Sequence, residues 1–184
     1  MNWDHKLFFK INGLVGKNNA LDVLGFFGAR FLLFIMIIIV PFLYYSVNFR
    51  HASLPWLILR IVPLFIQLWF FSWIINLLVG AMIKRPRPYI FYENKVKSLF
   101  TPLFEKWKSM PSDHAMTCAV LLMIIVFSRS FFNVILFLLL SLWVCWGRIY
   151  SGVHYPSDII VGFLIGTVVP FVVMLIAGAI SSLV

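Results

Sequence analysis

Acidic residues are scarce in this chain: six Asp and Glu stand against fifteen Lys and Arg in 184 residues. Charged residues of both signs make up only 11%, where soluble domains carry about a quarter, so an ordinary water-facing surface is excluded. Cysteine is nearly missing as well. Cys118 and Cys145 both fall inside apolar runs, which excludes a disulfide framework and metal-ligand spacing and leaves two small packing residues. A cleavable signal peptide is not expected in the first twenty residues, because Asp4, His5, Lys6 and Lys10 interrupt any apolar run there. The chain also lacks a Walker loop, a Ser nucleophile elbow, a carboxylate metal cage, internal repeats and low-complexity tracts.

What it has in excess is apolar surface: 62% hydrophobic residues, with 20 Phe and 7 Trp, and a mean hydropathy of +1.00. No soluble core of this length would absorb so much, so the composition reads as a polytopic membrane protein. The net charge of +9 suits anionic lipid headgroups or an anionic substrate. Nucleic acid is a poor partner, since the basic residues are spread among loops with no matching motif.

The pattern predicts an all-α bundle in one domain, residues 1–184. Residues 3–17 are too short to span and read as an N-terminal interfacial helix. Five spans follow, at about 22–47, 55–83, 113–128, 131–150 and 157–183 (roughly 20 apolar residues being enough to cross a bilayer). The first carries Arg30 and Pro41, the second Arg60, Pro63, Gln67 and Asn76, and the last Pro170. Counting spans puts the N-terminus, the loop 84–111 and the loop 148–156 on one side of the membrane. The turns at 48–53 and 128–130 fall on the other.

Three polar pieces therefore converge at one end of the bundle. Arg148-Ile149-Tyr150-Ser151-Gly152-Val153-His154-Tyr155-Pro156-Ser157-Asp158 is the densest. Burying such groups beside lipid is costly, which makes the cluster a candidate site. With Pro156 in the first turn of a helix, His154 sits just before it and Asp158 one turn inside, near enough for the carboxylate to hold an imidazole nitrogen and fix the tautomer. A His and an Asp that merely satisfy each other at a helix end would look the same.

Lys84-Arg85-Pro86-Arg87-Pro88 is the second piece. Its prolines hold the backbone extended and display Arg87, whose guanidinium suits phosphate oxygens; a basic headgroup anchor is the plainer reading. Met110-Pro111-Ser112-Asp113-His114 is the third. Ser112 is placed to cap a helix whose free N–H groups favour an anion, with His114 facing it from the first turn. Cations, oriented N–H donors, a buffered His and a second His together fit phosphoryl transfer through a phosphohistidine.

Pro111-Ser112-Asp113-His114, and Arg148 followed after five residues by His154 and after three more by Asp158, resemble the second and third motifs of the type 2 phosphatidic acid phosphatase family. These membrane lipid phosphatases are related to vanadium haloperoxidases and bacterial acid phosphatases. The family's first motif is Lys, six residues, then Arg-Pro; Arg87-Pro88 matches, but the Lys position is Gly80. Asp113 replaces the Gly usual in the second motif. These departures, with Phe9-Lys10-Ile11-Asn12-Gly13 and Leu21-Asp22, resemble the undecaprenyl-diphosphate phosphatase branch, which is tied to cell-wall carrier recycling and bacitracin resistance.

The resemblance implies that His154 attacks the terminal phosphorus, oriented by Asp158. His114 protonates the departing oxygen and then activates water. Arg87, Arg148, Ser112 and backbone N–H groups near 113–114 hold the phosphoryl oxygens, without metal or cofactor. Lys84 or Arg85 supplies the charge missing at Gly80, and the Asp113 carboxylate repels phosphate unless an Arg or Lys pairs with it. A polyprenyl diphosphate in the membrane is the implied substrate. Lipid A, phosphatidylglycerol phosphate and phosphatidic acid are alternatives. A silent lipid-binding relative, or a transporter lined by Arg30, Arg60, Gln67 and Asn76, are readings of other classes, the latter weakened by the missing repeat.

Orientation is contested within the sequence itself. Lys6, Lys10, Lys17, Lys84, Arg85, Lys95, Lys97, Lys106 and Lys108 lie on the site side, against Arg50 and Arg129 on the other. The positive-inside rule points the site to the cytoplasm; the resemblance implies the outer face of the cell membrane, and the latter is taken as the expectation.

Overall fold

The computed structural model describes residues 2–48, 54–101 and 108–181, without the side chains of 45–48, 54–58, 60, 61 and 181. Arg50, Lys106, the turn beyond residue 48 and the side chain of Arg60 lie outside the described residues. Among the described residues the chain is wholly helical: α1 (Trp3–Asn12), α2 (Asn19–Arg30), α3 (Leu32–Asn48), α4 (Leu54–Ile83), the single turn α5 (Pro88–Phe91), α6 (Asp113–Phe127), α7 (Phe131–Tyr150) and α8 (Pro156–Ser181).

Local chemistry sets the helix starts. Side-chain oxygens of Asn2, Asn18 and Ser112 accept from backbone N–H groups of the first turns of α1, α2 and α6, satisfying donors that would otherwise be orphaned. Pro88 and Pro156 open α5 and α8, where the absent N–H costs nothing.

Helix α6 is the axis of the bundle. It packs against α8, α7, α4 and α3, and its residues from Ala115 to Leu121 are buried without a break. The others wrap it and turn Phe, Ile and Leu side chains outward, the arrangement expected where lipid is the solvent. Three helices, α4, α7 and α8, are long and apolar enough to cross a membrane, and the bent pair α2–α3 makes a fourth. At 15 residues α6 is only about 22 Å long at 1.5 Å per residue, and it lies inside the protein, where lipid thickness does not dictate its length. This is a membrane protein of the helical class.

Two elements depart from the sequence expectation. The first span is not one rod from 22 to 47: it begins at Asn19 and bends by 55° between α2 and α3. At the bend, the Ala29 carbonyl accepts from Arg148 Nη1 at 3.0 Å, and the ladder restarts with Phe31 accepting from Phe34 and Ile35. The guanidinium replaces a helical donor, one of the recognised causes of a kink. The N-terminal helix does more than lie at an interface. Phe8 is fully buried, and Asn12 Nδ2 donates to the carbonyls of Lys97 and Tyr150 at 2.7 and 2.8 Å, so α1 is docked onto the site end of the bundle.

Two helix crossings fix the site. Gly147 of α7 lies against α2, where an added Cβ would stand 2.7 Å from Ala29 N and 2.9 Å from Gly25 O. Gly162 and Gly166 let α8 press on the backbone of α6 at Ser112 and Met116. Small residues four apart are the usual means of bringing membrane helices to backbone contact.

Candidate active site

The stretch between α7 and α8 folds back sharply at Gly152, whose φ of +76° suits glycine. The Gly152 N–H bonds Ile149 O and the Val153 N–H bonds Arg148 O. That turn returns His154 under Arg148. His154 is 2% exposed and Asp158 not at all.

His154 has a defined tautomer. Nδ1 lies 2.7 Å from the carbonyl oxygen of Ser109; a carbonyl can only accept, so the ring proton is on Nδ1. Nε2 then carries the lone pair, and it accepts from Arg87 Nη1 at 3.0 Å and faces Arg148 Nη2 at 3.4 Å. Burial, and then the Arg87 and Arg148 charges, push this imidazole well below its ordinary value of 6.5, against the opposing pull of Asp113 and the Ser109 carbonyl. The ring is thus a neutral imidazole with its lone pair aimed at two guanidiniums.

Arg148 joins the two histidines. Its Nη1 reaches His114 Nε2 at 3.4 Å while its Nη2 reaches His154 Nε2 at the same distance. The imidazoles, distant in sequence, thus end on one guanidinium. Arg148 Nε is buried with no hydrogen-bond partner among the described residues, a donor of the sort that an anion satisfies. Arg87 is held by donating to Val153 O at 3.2 Å, and Pro88 starts the turn α5 directly behind it.

Asp158 does not grip the imidazole in the manner the spacing suggested. Its Oδ2 is 3.7 Å from His154 Nδ1, farther than the Ser109 carbonyl, because that oxygen is taken by Ser109 Oγ at 2.6 Å and Tyr155 N at 2.7 Å. Oδ1 accepts from Arg85 at 2.9 Å. Asp158 therefore orients His154 through Ser109: the hydroxyl is tied to the carboxylate and the carbonyl to the ring. The backbone carbonyl of Asp158 also accepts from Ser112 N at 3.0 Å, which locks the start of α6 to the start of α8.

Of the nine residues singled out in the sequence, His154, His114, Arg87 and Arg148 meet at one point, with Ser112 and Asp158 bracing them from behind. Ser112 is buried as the cap of α6, accepting from Ala115 N at 3.4 Å. Arg85 and Lys84 are not brought there. Arg85 Nη2 bonds Asp4 at 2.7 Å, its Nη1 bonds Asp158 and Ser157, and its Cζ sits 3.7 Å above the Tyr155 ring. Both ends of its fork are committed behind the loop. Lys84 is exposed, turned away by a backbone φ of +48°. The carboxylate of Asp113 is instead met by Lys108 Nζ at 2.9 Å and Asn76 Nδ2 at 2.6 Å.

Asp4, Asn76, Lys108 and Ser109 are the participants that sequence reasoning missed. Asp113 was the available signal: a carboxylate beside a phosphate site repels the substrate unless a cation pairs with it, and Lys108 is close in sequence. Of the residues that would line a transport path, Gln67 faces outward, Arg30 lies over Phe100 at 5.5 Å and Asn76 Nδ2 donates to Asp113, while the side chain of Arg60 lies outside the described residues. Among the described residues no set of His, Cys, Asp or Glu side chains is grouped to hold a metal ion.

Comparison with known proteins gives the same picture. The PAP2 superfamily profile matches residues 61–181. Two solved structures resemble the chain: LpxE of Aquifex aeolicus (24% identity, TM-score 0.69, 94% of each chain covered) and a transmembrane PAP2 type phosphatidylglycerolphosphate phosphatase of Bacillus subtilis (21% identity, TM-score 0.61, 98% of this chain and 89% of that one covered). At these identities the likeness is one of fold. No curated protein matches the sequence.

Proposed function

From the premise that this chain belongs to the PAP2 superfamily, we propose that it is a multi-pass lipid phosphatase of five spans that hydrolyses undecaprenyl diphosphate to undecaprenyl phosphate and phosphate. His154 Nε2 attacks the terminal phosphorus while the bond to the bridging oxygen breaks, and His114, which takes up a proton once the negative charge of the diphosphate fills the pocket, delivers that proton to the departing oxygen. His114 then takes a proton from water as the water displaces His154, releasing phosphate. Arg87, Arg148 and the N–H groups opening α6 stabilise charge on the phosphoryl oxygens.

The observation that carries this reading is the shared guanidinium of Arg148, which meets both imidazoles at 3.4 Å beside a His154 whose only ring proton is bound elsewhere. Support for the undecaprenyl branch comes from the N-terminal residues. Asn12 and Asp22 both hold Tyr150, through its carbonyl and its hydroxyl, two residues from Arg148, so this segment buttresses the site.

Phosphate release from undecaprenyl diphosphate, lipid A, phosphatidylglycerol phosphate and phosphatidic acid, measured side by side on the purified protein in lipid, tests the substrate. Preference for a glycerolipid overturns the diphosphate reading, and an unimpaired His154→Ala variant overturns the nucleophile. The site is taken to face outward. Lys95 is exposed and both native cysteines are buried, so a Lys95→Cys variant reports orientation cleanly. Labelling by an impermeant maleimide on intact cells supports the outer face, and protection until lysis refutes it.

A further inference from the structure

We infer that Lys108, delivered by the loop before α6, is the third cation of the phosphate site and occupies the volume that a lysine side chain at position 80 of α4 would fill. The inference rests on the phosphatase reading above and names a residue that reading leaves out. Its first support is steric. A Cβ built on Gly80 would stand 2.6, 2.9 and 3.2 Å from Cε, Cδ and Cγ of Lys108, so the alkyl stem of Lys108 lies directly on the glycine. Any larger residue at 80 competes with it for the same space.

Its second support is where the ammonium ends. Lys108 is 1% exposed, and a buried cation is retained only when paired. Its partner, Asp113 Oδ1 at 2.9 Å, directly precedes His114 in the first turn of α6. The carboxylate lies close enough to the pocket to act on His154. Asp113 is the more open member, with 28% of its side chain accessible against none for Lys108.

The geometry gives the pair a defined task. Lys108 donates to the anionic oxygens of the bound phosphate, while Asp113, anchored also by Asn76 Nδ2 at 2.6 Å, fixes the ammonium and limits the net charge of the pocket. The missing lysine of α4 and the extra carboxylate of α6 are thus one linked change. A cation supplied from a loop needs both a glycine to lie on and an anion to hold it.

The test separates a ligand from a charge that merely masks Asp113. With the parent active, Lys108→Met should lower kcat/KM by about 100-fold, the usual scale for removing one stabilising donor, and weaken competitive inhibition by inorganic phosphate. Lys108→Met/Asp113→Asn should remain impaired. Gly80→Lys/Lys108→Ala, which moves the cation to α4, should recover to within about tenfold of the parent. Recovery in the Asp113→Asn double variant, or full activity in Lys108→Met, overturns the inference. Should the single variant fold poorly, the relocated lysine decides: an inactive but folded Gly80→Lys/Lys108→Ala counts against it. A parent that releases phosphate from no lipid phosphate is a failure of the phosphatase reading instead.

Discussion

Adding one methyl group at Gly162 should pull apart the two halves of the site. The new Cβ would press on the Ser112 carbonyl oxygen, with Ser112 N at 3.1 Å and its carbonyl carbon at 3.2 Å. All three are backbone atoms of the residue that caps α6, so no side-chain rotation relieves them. Carbon–oxygen contacts settle near 3.3–3.6 Å, and restoring that spacing requires α8 to move off α6 by several tenths of an ångström to about 1 Å. The Ser112 N–H to Asp158 carbonyl bond of 3.0 Å spans the same seam and would be stretched. His114 rides on α6 and His154 on the loop entering α8, so the shift falls between the two imidazoles.

Overpacking of this kind costs about 1–3 kcal/mol, while a 1 Å misplacement of reacting groups costs roughly 100-fold in rate. Activity should therefore fall about 100-fold in a protein that still folds, with an unfolding midpoint lowered by only a few degrees. The assay is initial-rate phosphate release in lipid, with thermal unfolding followed in parallel. Gly178→Ala on the same helix is the control, because a Cβ there meets nothing within 4 Å. A Gly162→Ala enzyme within twofold of the parent in kcat/KM, or a Gly178→Ala enzyme equally impaired, would refute the reasoning.

Three further outcomes follow from the same contacts. In the proposed reaction His154 must be neutral to attack, and its pKa is held well below the ordinary 6.5; the acid limb of kcat/KM should lie below that value, and a limb at or above it would count against the assignment. By the same sign, the unfolded imidazole protonates first, so this group's contribution to stability is intact above pH 6.5 and declines as pH falls below it. Arg85→Ala leaves Asp4 and Asp158, with side chains 5% and 0% exposed, without their shared cation; a loss of about 3–5 kcal/mol is expected, read as a lowered unfolding midpoint that Asp4→Asn partly restores. Ser109→Ala keeps the carbonyl on His154 but removes the 2.6 Å donor to Asp158; kcat should drop with little change in KM, and an equal rise in KM instead would argue against a positioning role.

The helical class, the site end of the bundle and four of its central side chains were legible because each is written in short-range pattern. Apolar runs mark the helices, Pro88 and Pro156 mark starts, and Ser112 reads as a cap. What escaped the sequence depends on how loops thread. Arg85 and Arg87 are two residues apart and equally basic, yet the turn at Lys84 sends the first behind the loop and the second into the pocket. The carbonyl that fixes His154 belongs to Ser109, 45 residues away, and a backbone acceptor leaves no trace in side-chain chemistry. The bend at Phe31 was hidden for a similar reason, since the guanidinium that ends the ladder at Ala29 comes from 119 residues downstream.

The clasp between Asp4 and Ser157, formed by the Ser157 N–H at 2.8 Å and its hydroxyl at 2.7 Å, joins α1 to α8. The two stand 153 positions apart in the chain, a stretch that takes roughly 8–30 s to synthesise at about 5–20 residues per second. Throughout that interval Asp4 is without Ser157, and Arg85 without one of its two carboxylates. The bracing of His154 by Asp158 through Ser109 is thereby deferred until α8 is made, so a chain stalled before α8 has both guanidiniums and both imidazoles but lacks the carboxylate that ties down Ser109.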